Sequence, residues 1–232
     1  MNKFSDSNIA GPKVVATVHT LAGLRLAERL GKGEVDVLEL RVDALAGNLA
    51  AVRRFLAKAV LPVLLTVRHP LEGGIGNLPT GRRRELFREF LPAAAFVDVE
   101  LRSVAAMREV IAAAKKQGSA VVVSDHHFRG SPTLARMRER RRRAFAAGAD
   151  IFKLACLADG AAPVARLLDL ASEAKAGPLA VMGMGKLGQV SRLVLACAGS
   201  ILNYGYLDRP NAPGQWEARE LKVLLGKLRV ER

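Results

Sequence analysis

Eight short apolar runs alternate with longer helix-forming segments along the chain, and this alternation restricts the fold more than any other feature. Successive strand and helix units of this kind form parallel sheets, and eight of them in 232 residues match the size and count of a (β/α)8 barrel. The runs are Val14–His19, Val35–Val42, Pro62–Arg68, Phe96–Leu101, Ala120–His126, Ile151–Leu157, Leu179–Met184 and Ser200–Tyr206. We therefore predict an α/β protein, a single-domain (β/α)8 TIM barrel over residues 1–232, with residues 1–12 as a flexible N-terminal extension.

A doubly wound open sheet is the competing architecture. It is less favoured because no glycine-rich phosphate-binding turn follows the first strand and no linker divides the chain. The helix ends are also readable. Ser131 and Pro132 predict an N-cap and a first helical residue, and Gly118, Gly148 and Gly177 lie where helices should end.

The composition limits the class of protein. Half of the residues are hydrophobic and 25% are charged, and no apolar run approaches the roughly 18–20 residues of a membrane span, so we expect a soluble globular chain with no membrane partner. The first residues lack the apolar stretch of a secretory signal, which predicts a cytoplasmic location. Only two cysteines occur, Cys156 and Cys197, and we expect both to be reduced thiols in the core.

The net charge of +14 favours an anionic partner, either nucleic acid or a small anionic substrate. Six of the eight residues from Arg136 to Arg143 are arginine, which raises the nucleic-acid hypothesis. No aromatic residue interrupts that run to stack on bases, and a charge run on a helix is usually a solvated face. We therefore expect a small-molecule substrate and no nucleic-acid partner.

Several predicted strands carry polar residues on one face, because residues two apart in a strand point the same way. These residues are Glu39, Arg41, Arg68, His126 and Lys153. Most of them lie late in their strands, which is the end where barrel enzymes build their active sites.

Lys153 is the most informative of these residues because the strand around it is otherwise apolar. An ammonium there is either paired as a structural lysine or held ready, as a neutral amine, to attack a carbonyl and form a Schiff base. His126 offers a general base near neutrality, and Glu72 in the loop after the third strand offers a carboxylate to orient it. Together these three residues suit enamine chemistry.

Seven segments in chain order resemble those of one family. They are Glu39-Leu40-Arg41-Val42-Asp43, Thr66-Val67-Arg68 with Glu72-Gly73-Gly74, Asp98-Val99-Glu100-Leu101, Val121-Val122-Val123-Ser124-Asp125-His126, Lys153-Leu154-Ala155, Met184-Gly185 with Ser191-Arg192, and Ala212-Pro213-Gly214-Gln215. The resemblance is to type I 3-dehydroquinate dehydratase, the Schiff-base-forming (β/α)8 family of the shikimate pathway, and it covers nearly the whole chain.

The resemblance implies dehydration of 3-dehydroquinate to 3-dehydroshikimate without metal or other cofactor, by a homodimer. Lys153 would form the imine, His126 would act as base and then acid, and Glu72 would orient His126. Arg192 would bind the substrate carboxylate. The other substrate contacts implied are Glu39, Arg41, Arg68, Asn211 and Gln215, the last delivered by a closing loop.

The chain departs from the family pattern at three positions. Asp125 and His127 flank the catalytic histidine, and Asn211 stands where the family usually has serine. By strand alternation, Asp125 and His127 should point away from the barrel interior. Two alternatives remain open: an aldolase-like Schiff-base barrel that uses Lys153 for carbon–carbon cleavage, and a diverged relative that binds the ring acid without turnover.

Overall fold

The structure, a computed structural model, describes residues 12–31, 33–173 and 176–228. All eight predicted strands are present within one or two residues of their predicted positions. They are β1 (Lys13–Val18), β2 (Val37–Arg41), β3 (Val63–Thr66), β4 (Phe96–Glu100), β5 (Ala120–His127), β6 (Ile151–Leu157), β7 (Leu179–Met184) and β8 (Leu202–Tyr206).

Each strand is followed by a helix, as predicted. The helices are α1 (Leu21–Ala27), α2 (Leu49–Leu56), α3 (Thr80–Phe90), α4 (Arg108–Gln117), α5 (Leu134–Ala146), α6 (Ala161–Ser172), α7 (Gly188–Cys197) and α8 (Ala218–Lys227). No helix in the described parts of the chain is long and apolar enough to cross a membrane.

The eight strands form one parallel sheet in the order β7-β6-β5-β4-β3-β2-β1-β8. The two end strands of this order, β7 and β8, are joined by hydrogen bonds from the residues just before β8. There the amide of Ile201 donates to the carbonyl of Leu179 at 2.8 Å, and the Ser200 hydroxyl accepts from the amide of Val181 at 3.0 Å. The sheet is therefore a nearly closed (β/α)8 barrel, and the predicted fold class is confirmed.

Strand alternation divides the core into two parts. In β2, Leu38 and Leu40 face outward and belong to the large cluster between the strands and the helices, which also holds Phe55 of α2. Val37 faces inward and belongs to a smaller cluster that fills the barrel. The next inward position is the buried Glu39, so the same face of one strand is apolar early and charged late.

Three local expectations have different outcomes. Gly118 ends α4 in the left-handed conformation, with φ of 79°, as predicted. The predicted N-cap at Ser131 is wrong, because Thr133 caps α5 by accepting from the Arg136 amide. Cys197 is exposed at the end of α7, so only Cys156 is a core thiol. Of the predicted N-terminal extension, residues 1–11 lie outside the described residues.

Candidate active site

The nine site residues named from the sequence meet in one cavity at the carboxyl ends of the strands. The cavity is lined by all of Glu39, Arg41, Arg68, Glu72, His126, Lys153, Arg192, Asn211 and Gln215. They come from strands β2, β5 and β6, from helix α7 and from the loops after β3 and β8. Barrel closure brings them together, since the carboxyl ends of parallel strands meet at one rim.

Lys153 points into the barrel from the middle of β6 and is buried. Its Nζ donates to Oδ2 of Asp98 at 2.9 Å and lies 3.6 Å from Oε1 of Glu39. The ammonium also lies 3.8 Å from the centre of the Tyr204 ring, a cation–π distance. Lys153 is thus both a paired lysine and a lining residue of the cavity, so the two interpretations of its sequence position are compatible.

Arg68 shares the carboxylate of Asp98 with Lys153. Its two terminal nitrogens donate to the two oxygens of Asp98 at 3.0 and 2.9 Å, and one of them also reaches Glu100 at 3.2 Å and the Ser124 hydroxyl at 2.8 Å. Burial alone would raise the pKa of Asp98, but Arg68 and Lys153 outweigh it and hold that pKa well below its usual range. Asp98 therefore stays ionised and positions both cations.

His126 and Glu72 form a hydrogen-bonded pair beside this network. The imidazole Nδ1 lies 2.8 Å from Oε2 of Glu72, which also accepts from the His126 backbone amide at 3.1 Å. Burial raises the pKa of Glu72 to about 8. Burial, followed by Arg68 and Lys153, lowers the pKa of His126 well below its usual value, so its ring is neutral and able to act as a base.

The Glu-Gly-Gly sequence after β3 explains how Glu72 reaches this position. Glu72 ends a short 3-10 turn, Pro70–Glu72, and Gly73 follows in the left-handed conformation with φ of 82°. At Gly74 a Cβ atom would collide with the backbone carbonyl of Arg68. Two glycines are therefore needed for the chain to turn back under the His126–Glu72 pair.

The two adjacent histidines, His126 and His127, differ in orientation. His126 faces the cavity, whereas His127 Nε2 lies 2.7 Å from Oδ2 of Asp125, which is held by Arg140 of α5. Asp125 and His127 therefore point away from the barrel interior, as predicted. Phe128 follows on the cavity side, and its ring stacks near that of His126 with centroids 6.4 Å apart.

Arg192 is a buried guanidinium without a carboxylate partner among the residues that the structure describes. Its Nε donates to the Gly214 carbonyl at 3.1 Å and its NH1 to the Tyr204 carbonyl at 3.0 Å. Burial lowers its pKa to about 10. A buried cation with only neutral partners suits an anionic ligand.

The segment Asn211–Gln215, in the loop after β8, is held in shape by Gln215. Its Oε1 accepts from the backbone amides of Asn211 and Ala212 at 2.9 and 3.1 Å, which curls the segment over the cavity. Asn211 itself is exposed at the rim.

Comparison with known proteins agrees with this geometry. The family model of type I 3-dehydroquinase matches residues 14–231. The chain belongs to the type I 3-dehydroquinase family.

Individual family members match over most of their length. The 3-dehydroquinate dehydratase of Methanocella arvoryzae is 36% identical over 211 residues, which are 90% of this chain and 94% of the relative. The 3-dehydroquinate dehydratase of Methanosarcina barkeri is 34% identical over 217 residues, 87% of this chain and 89% of the relative.

Solved structures of the family superpose closely on this dehydroquinase-family barrel. That of 3-dehydroquinate dehydratase from Geobacillus kaustophilus gives a TM-score of 0.84 at 30% identity, covering 94% of this chain and 91% of that one. The type I enzyme from Clostridium difficile, solved with covalently modified comenic acid, gives 0.84 at 27% identity, covering 94% and 92%.

Sequence reasoning did not assign roles to several residues of this family member's site. The sequence places Asp98 in a family motif without giving it a role, although its alternation with Phe96 in β4 predicts that it faces the inside of the barrel. Asp43 holds Arg41 through two hydrogen bonds of 2.9 and 2.8 Å and accepts from the amides of Arg68 and Ile75. The cavity is completed by residues that carried no polar signal, namely Ala155, Met182, Met184 and Tyr204.

No group of three or more histidine, cysteine, aspartate or glutamate side chains that could hold a metal occurs within residues 12–31, 33–173 and 176–228.

Proposed function

We propose that this chain converts 3-dehydroquinate to 3-dehydroshikimate through a Schiff base on Lys153. One observation carries the proposal: the Lys153 amine and the His126–Glu72 pair line the same small cavity, and the wall of that cavity holds Arg192, a cation without a carboxylate partner in the described residues. The C3 ketone, the C2 proton and the C1 carboxylate of the substrate each find a matching group there. Family membership supports the same reaction, a step of the shikimate pathway.

The first step is formation of the imine. The neutral amine of Lys153 attacks the C3 carbonyl, one water leaves and the imine nitrogen takes up one proton, which the final hydrolysis returns. The resulting iminium is an electron sink for the adjacent carbon. Asp98 and Glu39 hold the nitrogen in place, and the Tyr204 ring supports it from one side.

The second step is elimination of the C1 hydroxyl. When Glu72 is ionised, Nδ1–H of His126 donates a hydrogen bond to its carboxylate. The lone pair on Nε2 of His126 is then free to remove the C2 proton of the substrate. The C2–H electron pair forms the enamine, which then expels the C1 hydroxyl as the imidazolium returns its proton to it. One water departs and the C1–C2 double bond forms. Hydrolysis of the imine consumes one water and restores Lys153.

The remaining residues bind and orient the ring. The Arg192 guanidinium, buried and without an acidic partner in the described residues, receives the substrate carboxylate. The ring hydroxyls are held by polar groups around the cavity, namely Glu39, Arg41, Arg68, Asn211 and Gln215. Closure of the segment carrying Gln215 excludes water during the chemistry.

The test combines turnover with trapping. Purified protein is mixed with 3-dehydroquinate, the ultraviolet absorbance of the conjugated enone is followed, and borohydride is added before intact-mass analysis. We expect turnover and a reduced adduct on Lys153, both lost in Lys153→Ala. Lys186→Ala is the matched control, since Lys186 is an exposed lysine after β7 that does not line the cavity.

The outcomes separate the alternatives. An adduct without turnover would indicate a diverged binder with a fault near His126. Carbon–carbon cleavage of a keto acid in place of dehydration would indicate the aldolase-like enzyme. The absence of both the adduct and turnover would contradict the proposal as a whole.

We also propose, on family resemblance alone, that the chain acts in the cytoplasm as a homodimer. Light scattering on the eluted protein should give twice the chain mass. A mass equal to one chain over the working concentration range would contradict the dimer.

A further inference from the structure

A large groove beside the candidate active site is lined, among the residues that the structure describes, only by positive and neutral side chains. It has a volume of about 850 Å³ and lies at the carboxyl end of β5, against the start of α5. Its lining residues, which we call the basic groove, are Pro70, Leu71, Gly73, His126, His127, Phe128, Arg129, Gly130, Ser131, Pro132, Arg136 and Arg140. Three arginines and two histidines thus face one concavity, and no acidic residue of the described ranges lines it.

The charges of the basic groove are only partly compensated. Asp125 lies beneath it and is the partner of both Arg140, at 2.9 Å, and His127, at 2.7 Å. This buried carboxylate balances one positive charge and fixes both side chains. Arg129 and Arg136 have no carboxylate partner in the described part of the chain, so two positive charges remain uncompensated.

The basic groove is separate from the expected substrate carboxylate site. Arg192 does not line it, whereas Gly73, His126 and Phe128 line both the groove and the cavity. The Phe128 ring therefore lies between two spaces that each suit an anion. A ligand held by Arg192 leaves the arginines of the groove free.

We propose that the basic groove is a second anion-binding site, for a small multivalent anion carrying phosphate or several carboxylate groups. Arg129 and Arg136 supply the uncompensated charge, and Arg140, held by Asp125, supplies guanidinium donors in a fixed position. His127, held by the same carboxylate, lies on the wall of the groove. A guanidinium fork matches two oxygens of either group, so the two ligand classes share one chemistry. The site goes beyond the proposed dehydration and needs no turnover to be detected.

The experiment follows the imidazole of His127 by nuclear magnetic resonance. The chain has only four histidines, so the ring resonances are few, and the one lost in His127→Gln identifies the reporter. Inorganic phosphate and citrate are titrated separately at constant ionic strength set with sodium chloride. We expect a saturable shift of the His127 resonance with at least one of them, and the arm with the lower Kd identifies the preferred class.

A double variant locates the anion. Arg129→Gln with Arg136→Gln should weaken binding by about tenfold or more, because two charge-assisted contacts are lost while the cavity and Arg192 are unchanged. The matched control is Arg54→Gln with Arg142→Gln, which removes the same charge from exposed positions outside the groove. The control should change Kd by less than about twofold.

Three results would overturn the site. They are the absence of a saturable His127 shift with both anions, an unchanged Kd in the groove variant, and equal weakening in the control variant. The last would mean that the anion responds to net charge only. Loss of enzymatic activity in every sample would bear on the dehydration but not on this binding measurement.

Discussion

The interior of the barrel is apolar at its floor and polar one layer higher, although the same strands build both layers. The floor is formed by Val15, Val37, Leu64, Phe96, Val122 and Ile151. In these six strands the next inward position, two residues later, is occupied by Thr17, Glu39, Thr66, Asp98, Ser124 and Lys153, and we call these six residues the charged layer after its three ionisable members. The contrast is therefore between successive inward-facing positions of the same strands, and not between two separate regions of the sequence.

The two layers contribute differently. Burying the apolar floor stabilises the fold by an amount that grows with the area removed from water. Burying the charged layer costs free energy that its internal pairs only offset, so this layer adds little to stability. Its pairs instead fix the side chains that line the cavity. Variants that affect one layer without the other test this division.

Replacement of Lys153 should give the largest effect. Lys153→Met removes the nucleophile, and we expect turnover to fall by at least about 10⁴-fold. The unfolding free energy should stay within about 1 kcal/mol or rise, because a buried ammonium is exchanged for an apolar chain while Asp98 keeps Arg68. Enone formation and urea unfolding measure the two quantities. A large loss of stability would show that Lys153 supports the fold.

Glu72→Gln should give the next largest effect, and it acts on pH dependence. In the wild type, His126 can act as a base only when Glu72 is ionised. Because burial raises the pKa of Glu72 to about 8, kcat/KM should rise with pH up to about 8. The variant loses this titration, and only His126, with its lowered pKa, remains. Its plateau should fall about 10²-fold and its acid limb should move to lower pH. If the acid limb of the kcat/KM profile stays at the same pH in the variant, the proposed dependence of His126 on Glu72 is contradicted.

The same variant tests the linkage to stability. A carboxyl whose pKa is raised in the folded state stabilises that state below its unfolded pKa, and the contribution is lost as pH rises through the folded value. Glu72 should thus disfavour folding increasingly up to about pH 8. Relative to wild type, Glu72→Gln should gain unfolding free energy over that range, measured by urea titration at several pH values. A difference independent of pH would contradict the raised pKa.

Leu64→Ala should produce the opposite pattern to Lys153→Met. Leu64 is fully buried in the floor directly below Thr66, and its truncation should cost about 3 kcal/mol of unfolding free energy. The kcat of the folded fraction should stay within about twofold, since the charged layer keeps its contacts. Val190→Ala on the exposed face of α7 is the control and should cost less than about 0.5 kcal/mol.

Tyr204→Phe should give the smallest effect. The Tyr204 hydroxyl is buried without a hydrogen-bond partner in the described residues, whereas its ring faces the Lys153 ammonium. Phenylalanine keeps the ring, so stability should be unchanged or rise by up to about 1 kcal/mol. Turnover should stay within about twofold. A tenfold loss of kcat would show that the hydroxyl contacts the substrate or the reacting atoms.

The helix starts show where local sequence reasoning reached its limit. Ser131 and Thr133 both have side chains that can cap a helix, and local preference does not distinguish them. The structure uses Thr133 because the chain leaves β5 at His127 and continues along the groove wall before α5 begins. In the same way, Cys197 lies in an apolar helical segment, but only packing decided that its side of α7 is exposed.

The sequence by itself determined the eight strand–helix units, the single barrel and the inward-facing polar set, because these follow from the two-residue period of a strand and the order of elements. Only the tertiary structure decided which of these polar side chains pair with one another. Lys153 pairs with Asp98 across 55 residues, and His126 pairs with Glu72 across 54. The physical reason is that strand pleating is local, whereas the distances between side chains on different strands are set by barrel closure and by the loops that the glycines allow.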